Sequence, residues 1–173
     1  FPFVPKAVMP NMHQLAQRTY AHRYFVDGPN VEADACLGSF PCTWTNLLIG
    51  TAGAGAKTVF ALDVTTPMAM TTTSAKWEID PSTSGFATLG HVLSDVQTGY
   101  TKSGQWVAVF GNGYESAGGQ AVLYIVNLNT GALIKSIVVD NTGSNGLGGV
   151  RLVRDANKVI AGVGDLKGKM WKF

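Results

Sequence analysis

Residues 47–67 read LLIGTAGAGAKTVFALDVTTP, which is an apolar run, a glycine-rich turn, a second apolar run and a TTP turn. The same order of features returns in residues 106–131, WVAVFGNGYESAGGQAVLYIVNLNTG, and in shortened form in residues 159–173, VIAGVGDLKGKMWKF. A unit of several short strands that recurs about every 40–60 residues is typical of a β-propeller or another stacked array of sheets. The repeat therefore predicts an all-β fold in which each antiparallel sheet packs on the next.

The composition agrees with short strands joined by tight turns. Of the 173 residues, 46% are hydrophobic and 14% are charged, and glycine is abundant with 21 residues. Helices with a solvated face carry more Lys and Glu than this. The net charge of +2 is too small to indicate a nucleic-acid partner. No apolar run reaches the ~20 residues of a membrane-spanning helix.

The two ends of the chain suggest a fragment. The first residue is Phe1 rather than Met, no secretion signal opens the chain, and Phe173 falls inside a strand pattern. We therefore expect a piece of a longer protein whose targeting segments lie elsewhere.

Turn residues divide the chain into a connector and three blades. Residues 1–19 contain three prolines and are expected to form the connector, with a short helix at 11–18 that begins after Pro10. Residues 20–173 are expected to form the propeller fragment, with four-stranded blades at about 20–80 and 87–139. A third blade at 146–173 lacks its fourth strand. The predicted strands of the first two blades are 24–35, 43–50, 58–64, 76–79, 91–97, 106–111, 121–128 and 133–139. Since known propellers have about four to eight blades, the remaining blades are expected in other parts of the longer protein.

Alternation along these strands predicts which side chains pack sheet against sheet. Neighbouring positions of a strand point to opposite faces, so side chains two residues apart share a face. The predicted set is Phe60, Leu62, Val107, Val109, Val122, Tyr124, Val126 and Trp171. These are expected to be blade-face residues.

The two cysteines bracket a short loop. Cys36 and Cys42 flank LGSFP, a segment with Gly and Pro that can fold back on itself. The spacing and the absence of other cysteines favour a disulfide, which in an oxidising compartment would staple a hairpin tip. Two unpaired thiols in a strand pair are the alternative. A zinc site is disfavoured because no second ligand pair has suitable spacing.

Several apparent motifs fail on inspection, and no catalytic or cofactor-binding residue emerges. The GTAGAGAKT segment resembles a phosphate-binding loop, but Ala56 separates the last Gly from Lys57, and a strand follows where a helix is required. The GNG at residues 111–113 fails the dinucleotide motif for the same reason. The three histidines show no helical pairing, and no serine lies in a nucleophile elbow. The basic residues near the C-terminus are interpreted as a solvated face.

Five segments together resemble one family, the type IV pilus biogenesis factors and tip-associated adhesins known as PilY/PilC proteins, in their C-terminal domain. The segments are HRYFVDG (22–28), the glycine turn through TVFALDVTTP (53–67), WVAVFGNGYES (106–116), AVLYIVNLNTG (121–131) and GDLKGKMWKF (164–173). They occur in order, and the resemblance covers most of the chain, from about Phe3 to the end.

The resemblance implies a modified seven-bladed propeller of the quinoprotein-like kind without enzymatic activity. It implies export to the outer membrane, cell surface or pilus tip of a Gram-negative bacterium. The implied role is to promote pilus assembly, oppose retraction and aid attachment, with pilus subunits or minor pilins and a host-cell or surface ligand as partners. An enzymatic quinoprotein dehydrogenase and a periplasmic scaffold for outer-membrane assembly remain as alternatives.

One segment departs from that family. Many members carry a calcium loop of the D-x-D-x-D-G type before the strand that leads into GDLxGxxW. Here the corresponding run, residues 151–159, reads RLVRDANKV and keeps a single aspartate, Asp155, between Arg154 and Lys158. Calcium takes six to eight oxygen ligands. We therefore expect no calcium at this turn, with Asp155 and Asn157 serving the turn itself.

Overall fold

The chain folds into consecutive antiparallel strands with short 3-10 helices between them. A computed structural model describes residues 2–155 and 158–173. Its strands are β1 (Asn30–Leu37), β2 (Thr43–Thr51), β3 (Val59–Asp63), β4 (Ala75–Ile79), β5 (Gln97–Tyr100), β6 (Trp106–Gly111), β7 (Ala121–Asn127), β8 (Leu133–Asp140), β9 (Leu147–Asp155), β10 (Lys158–Asp165) and β11 (Met170–Lys172). The 3-10 helices in those ranges are Met9–Ala16, Pro67–Ala69, Thr72–Ser74 and Ala117–Gly119.

These strands form three sheets in chain order. The first sheet has the order β1-β2-β3-β4, the second β5-β6-β7-β8, and the third β11-β10-β9. Within each sheet, each strand pairs with the next one along the chain, as expected when short connections join antiparallel neighbours. The architecture confirms the predicted all-β class and is that of a propeller fragment, with two four-stranded sheets and a sheet of three strands in the described residues.

The first predicted strand, 24–35, is displaced by the glycine and proline that precede β1. Gly28 lies against Thr51, where an added Cβ would come within 2.0 Å of Thr51 Oγ1. Pro29 has no N–H to donate, although its carbonyl accepts the N–H of Thr51 at 3.3 Å. Regular pairing therefore starts at Asn30, and it continues to Leu37, which is paired with Thr43.

The predicted strand at 91–97 is wrong. His91 makes only an isolated bridge with Tyr114, and the first strand of the second sheet, β5, begins at Gln97. Val92 and Val96 are each 1% exposed and belong to the core between the first two sheets. The apolar residues here therefore reflect burial of a connecting segment and not strand pairing. The N-terminal helix lies at Met9–Ala16, with Pro10 in its first turn, and is 3-10 in form.

The second sheet is buried on both faces. Phe110, Tyr124 and Val126 face the core shared with the first sheet. Val107, Val109 and Leu123 face a separate core shared with Leu147, Val150 and Val163 of the third sheet. Because side chains alternate along a strand, the apolar runs of β6 and β7 supply both cores. The sheets therefore stack in the order first, second, third.

Seven of the eight predicted packing residues are at most 7% exposed. For three of the eight, however, the predicted packing between sheets is wrong or incomplete. Trp171 is only partly buried, at the margin of the core between the second and third sheets. Phe60 and Leu62 are buried but belong to neither inter-sheet core. Phe60 instead packs on Phe3, with ring centroids 5.0 Å apart. The N-terminal segment, rather than another sheet, thus covers that face of the first sheet.

Replacing Tyr124 with Ala should lower the free energy of unfolding by about 3–5 kcal/mol, because a large buried side chain is lost from a packed core. Tyr124 is 0% exposed, its ring contacts Phe86 and Phe110 at centroid distances of 4.9 and 5.7 Å, and its hydroxyl hydrogen-bonds the Thr88 hydroxyl at 2.7 Å. The matched variant Tyr124→Phe removes only that hydrogen bond and should cost about 1 kcal/mol. Urea denaturation measures both. Equal losses for the two variants would contradict the packing role.

Candidate functional site

The stacked sheets present two ends with different chemistry. At one end lie the connections β2–β3, β6–β7 and β10–β11, which hold residues 52–58, 112–120 and 166–169 and are called here the glycine-loop end. At the other end lie the hairpins β1–β2, β5–β6 and β9–β10, called here the hairpin end. Antiparallel pairing alternates the turns between the two ends.

Asn112 is the centre of the glycine-loop end. Its side chain is 0% exposed, and its amide nitrogen donates to the carbonyls of Thr88 and Gln120 at 2.9 and 2.8 Å. Its amide oxygen accepts the N–H groups of Val122 and Leu147, both at 3.0 Å. All four hydrogen-bonding positions of the amide are therefore occupied. The GNG motif thus has a structural role in joining the second and third sheets.

The loop that resembles a phosphate site is packed against the protein. Gly53 has a φ of 57°, and its carbonyl accepts a hydrogen bond from His91 Nδ1 at 2.9 Å. A Cβ on Gly55 would lie 2.1 Å from the Phe25 carbonyl oxygen. Lys57 donates its ammonium to the Glu115 carbonyl. The glycines serve close packing and a tight turn between β2 and β3, and the loop leads into a strand rather than a helix.

The GDLKGKMW motif forms a compact polar network at the same end. Asp165 Oδ1 accepts the backbone N–H groups of Lys167 and Lys169, at 3.0 and 2.9 Å. Asp165 Oδ2 accepts the Trp171 indole N–H at 2.9 Å and an amide N–H of Asn145 at 3.2 Å. Asp165 therefore fixes the turn between β10 and β11 and orients Trp171.

Asp140 extends this network across to the second sheet. Its Oδ2 accepts hydrogen bonds from Lys167 Nζ at 2.9 Å and from Asn145 Nδ2 at 2.7 Å. Its Oδ1 accepts the backbone N–H and the hydroxyl of Thr142. Since Asn145 bonds both carboxylates, Asp140 and Asp165 belong to one network, and Lys167 neutralises part of its charge.

Both carboxyl groups have lowered pKa values. For Asp140, the hydrogen bond from Lys167 is the main cause of the lowered pKa, followed by those from Thr142 and Asn145, while burial opposes them. For Asp165, burial raises the pKa, but hydrogen bonds from Trp171, Lys169, Asn145 and Lys167 together outweigh it. Hydrogen bonds to the charged form stabilise it. Both groups are therefore ionised structural anchors at neutral pH.

The turn between β7 and β8 of the second sheet, residues 128–132, holds a tryptophan of the first sheet. Gly131 has a φ of 70°, and an added Cβ would lie 2.8 Å from Trp77 Cγ. The Trp77 indole N–H donates to the Leu128 carbonyl at 2.8 Å. The ring thus lies on the NTG turn and fastens β4 to the next sheet. Sequence repeats locate this turn, but they do not reveal which tryptophan packs on it.

The disulfide lies at the hairpin end. Cys36 and Cys42 are bonded in the structure, with Cα atoms 5.4 Å apart, as their spacing predicts. They close the tip of the β1–β2 hairpin, where Phe40 is 98% exposed. The bond restricts this loop and so holds an apolar side chain out in solvent.

Three aromatic rings and an arginine extend from this hairpin across the other two sheets. Trp44 on β2 lies edge-on to Trp106 on β6, with centroids 6.4 Å apart, and Trp106 packs on Tyr100 of β5 at 5.5 Å. The Arg154 guanidinium of β9 lies 4.5 Å from the Tyr100 ring centroid, within the range of a cation–π interaction. Trp44 is 66% exposed. We call Trp44, Trp106, Tyr100 and Arg154 the aromatic row.

The residues expected at the family's calcium loop are only partly described. Ala156, Asn157 and the side chain of Asp155 lie outside the described residues. The flanking backbone is described, and Asp155 pairs with Lys158 in antiparallel register. Among the described residues, no group of three or more His, Cys, Asp or Glu side chains is placed to hold a metal ion.

Stacked antiparallel sheets joined by repeated glycine turns define the class of protein as a β-propeller, represented here by part of its ring. The chain belongs to the family described as the PilY1 beta-propeller domain, whose model matches residues 4–173. This confirms the resemblance seen in the sequence.

Curated relatives match over the whole chain. A type IV pilus biogenesis factor PilY1 of Pseudomonas aeruginosa strain UCBPP-PA14 is 39% identical over 181 residues, which cover 100% of this chain and 15% of the relative. A PilY1 homolog of Xylella fastidiosa strain Temecula1 is 36% identical over 187 residues and is covered to 12%. The chain thus spans about one seventh or less of the length of these relatives.

A solved structure shares the fold. The crystal structure of the Pseudomonas aeruginosa PilY1 C-terminal domain superposes with a TM-score of 0.81 at 34% identity, and the match covers 99% of this chain and 34% of that one. In the described part of the chain, no helix is long and apolar enough to span a membrane.

Acid should weaken the Asp140 network. A carboxyl whose folded pKa lies below its unfolded value of about 3.9 stabilises the fold above pH 4, and this contribution is lost as the pH falls through the folded pKa. Asp140→Asn should therefore lower the melting temperature at pH 6–7, and its difference from the wild type should shrink towards pH 2. The control Glu32→Gln removes an exposed carboxylate on β1. A constant difference between Asp140→Asn and the wild type from pH 7 to pH 2 would contradict this role.

Proposed function

We propose that this chain is part of a non-enzymatic cell-surface protein that promotes type IV pilus assembly, opposes pilus retraction and aids attachment. The observation that carries the proposal is the family match over residues 4–173, together with relatives named type IV pilus biogenesis factors. The propeller fragment supports a platform role because its sheets are fastened to one another by buried contacts, as at Asn112 and Trp77. Rigid elements of this kind hold exposed loops in fixed positions.

The hairpin end is the part of this platform best suited to contact a pilus subunit or a surface ligand. Its exposed apolar side chains include Phe40 and Trp44, at 98% and 66% exposure. Exposed aromatic residues in a cluster are typical of interaction surfaces. The glycine-loop end is less suited, because its polar side chains are engaged with one another.

Deleting the gene in the source bacterium should reduce the number of surface pili, and removing the retraction motor as well should restore them. Electron microscopy of pili and immunoblots of the pilin subunit measure these effects. Protease treatment of intact cells separates surface display from a periplasmic scaffold.

The exchange of both Phe40 and Trp44 for Ser should reduce attachment while the number of pili stays normal. The control Met68→Ser, at a similarly exposed position, should leave attachment unchanged. Normal piliation and attachment in the deletion strain would overturn the proposal.

We also propose that the β9–β10 turn binds no calcium. The strands on either side leave only residues 156–157 between the paired Asp155 and Lys158, whereas a calcium loop must gather six to eight oxygens. The neighbouring Arg154 places a guanidinium close by, over Tyr100. Cations at this turn oppose the binding of a further positive charge.

Removal of calcium from the full-length protein should not lower the melting temperature of the part that contains the β9–β10 turn, because no metal supports this turn. Calorimetric titration of the wild type and of Asp155→Ala with calcium should give the same heats. A saturable heat that disappears in Asp155→Ala would show that the turn is a calcium site after all.

A further inference from the structure

An apolar cleft opens between the second and third sheets at the hairpin end. Its volume is about 540 Å³, within the range of small-molecule sites. One wall consists of Val107, Val109, Leu123 and Ile125 of the second sheet, and the other includes Leu152 and Phe173 of the third. The cleft is continuous with the hydrophobic core between the second and third sheets.

The cleft exists because the two sheets touch at one end and diverge at the other. At the glycine-loop end, Gly111 lets β6 approach β9 so closely that a Cβ would lie 2.3 Å from the Gly148 carbonyl oxygen. At the hairpin end, the stacked side chains of Tyr100 and Arg154 stand between the sheets, with the guanidinium 4.5 Å from the ring centroid. The spacing of the sheets therefore increases towards the hairpins.

The mouth of the cleft is positively charged. Lys102, Arg154 and Lys158 line it, and the described residues that line the cleft include no Asp or Glu. The Tyr100 ring holds the Arg154 guanidinium at the entrance. Several exposed cations around one opening raise the local concentration of anions there. An anion is therefore the ligand group that this mouth favours.

The walls of the cleft suit a hydrocarbon chain better than a peptide. The backbone groups of β6 and β7 are engaged with neighbouring strands on both sides, and those of β9 are engaged with β10 on one side. The walls thus present aliphatic side chains and few groups that could pair with a peptide backbone. A peptide in the cleft would lose hydrogen bonds to water without replacing them, whereas a methylene chain loses none.

We propose that this cleft binds a single-chain amphipathic anion, namely a medium- or long-chain fatty carboxylate. The carboxylate lies between Arg154, Lys158 and Lys102, and the acyl chain lies between the two sheets. Charge-assisted hydrogen bonds fix the head group, and burial of methylene groups supplies the chain-length dependence. This site is independent of the proposed pilus function, since it concerns a small molecule and is not lined by Phe40 or Trp44.

The test is calorimetric titration of the full-length protein with sodium dodecanoate below its micelle concentration. Decanoate, two methylenes shorter, should bind about tenfold more weakly. Dodecyltrimethylammonium has the same chain with a positive head and should not compete.

The double variant Arg154→Gln and Lys158→Gln changes only exposed side chains and should weaken dodecanoate binding at least tenfold. Lys135→Gln, an exposed cation on β8 outside the cleft, is the matched control and should bind as the wild type does.

A second variant tests the chain site separately from the head-group site. Ile125→Trp puts a larger side chain into the cleft wall and should abolish dodecanoate binding while circular dichroism shows a folded protein. The proposal is overturned if dodecanoate gives no saturable heat, if the positively charged amphiphile binds equally well, or if the double variant and Lys135→Gln bind alike. A protein that dimerises through this cleft, seen as a dodecanoate-independent dimer in sedimentation, would also overturn it.

Discussion

The buried amide of Asn112 is the interaction on which the arrangement of the second and third sheets depends. Its backbone N–H donates to the Val122 carbonyl at 2.8 Å, its carbonyl accepts the Gly90 N–H at 2.7 Å, and its side chain makes four more hydrogen bonds. One of these is with Leu147, the first residue of β9. Because every polar group of this residue is engaged away from water, loss of any partner would leave a buried group unsatisfied. The start of the third sheet is thereby fixed relative to the second.

Close contact at that point has consequences along the whole interface. Gly113 donates its N–H to the Leu147 carbonyl, and a Cβ on Gly146 would lie 2.1 Å from the Gly113 carbonyl oxygen. Only glycine permits backbones to approach this closely. From this tight end the sheets diverge, so the core between them is closed near Leu147 and open near Tyr100. The same packing thus yields a firm joint at one end and a cleft at the other.

The sequence predicts the parts of this fold that depend on local pattern and fails where distant partners decide. The strands β2, β3, β6, β7 and β8 follow from apolar runs bounded by glycine, and the disulfide follows from a spacing of six residues. The segment 91–96 contains apolar residues that suggest a strand, but their burial does not reveal whether a pairing partner exists. Likewise, Phe60 has the pattern of a sheet-to-sheet contact, yet Phe3 covers it. The aromatic row was not predicted, because it depends on the relative register of three hairpins.

The two ends of the stack differ in how their polar and aromatic groups are used. At the glycine-loop end, Asn112, Asp140 and Asp165 each accept several hydrogen bonds from the protein itself. A group whose hydrogen bonds are all made internally has little left to offer a ligand. At the hairpin end, Phe40 and Trp44 are exposed, and the Arg154 guanidinium lies over the Tyr100 ring. Groups that remain available in this way suit the proposed attachment role, so a change at the glycine-loop end should alter stability, whereas a change at the hairpin end should act on the proposed attachment.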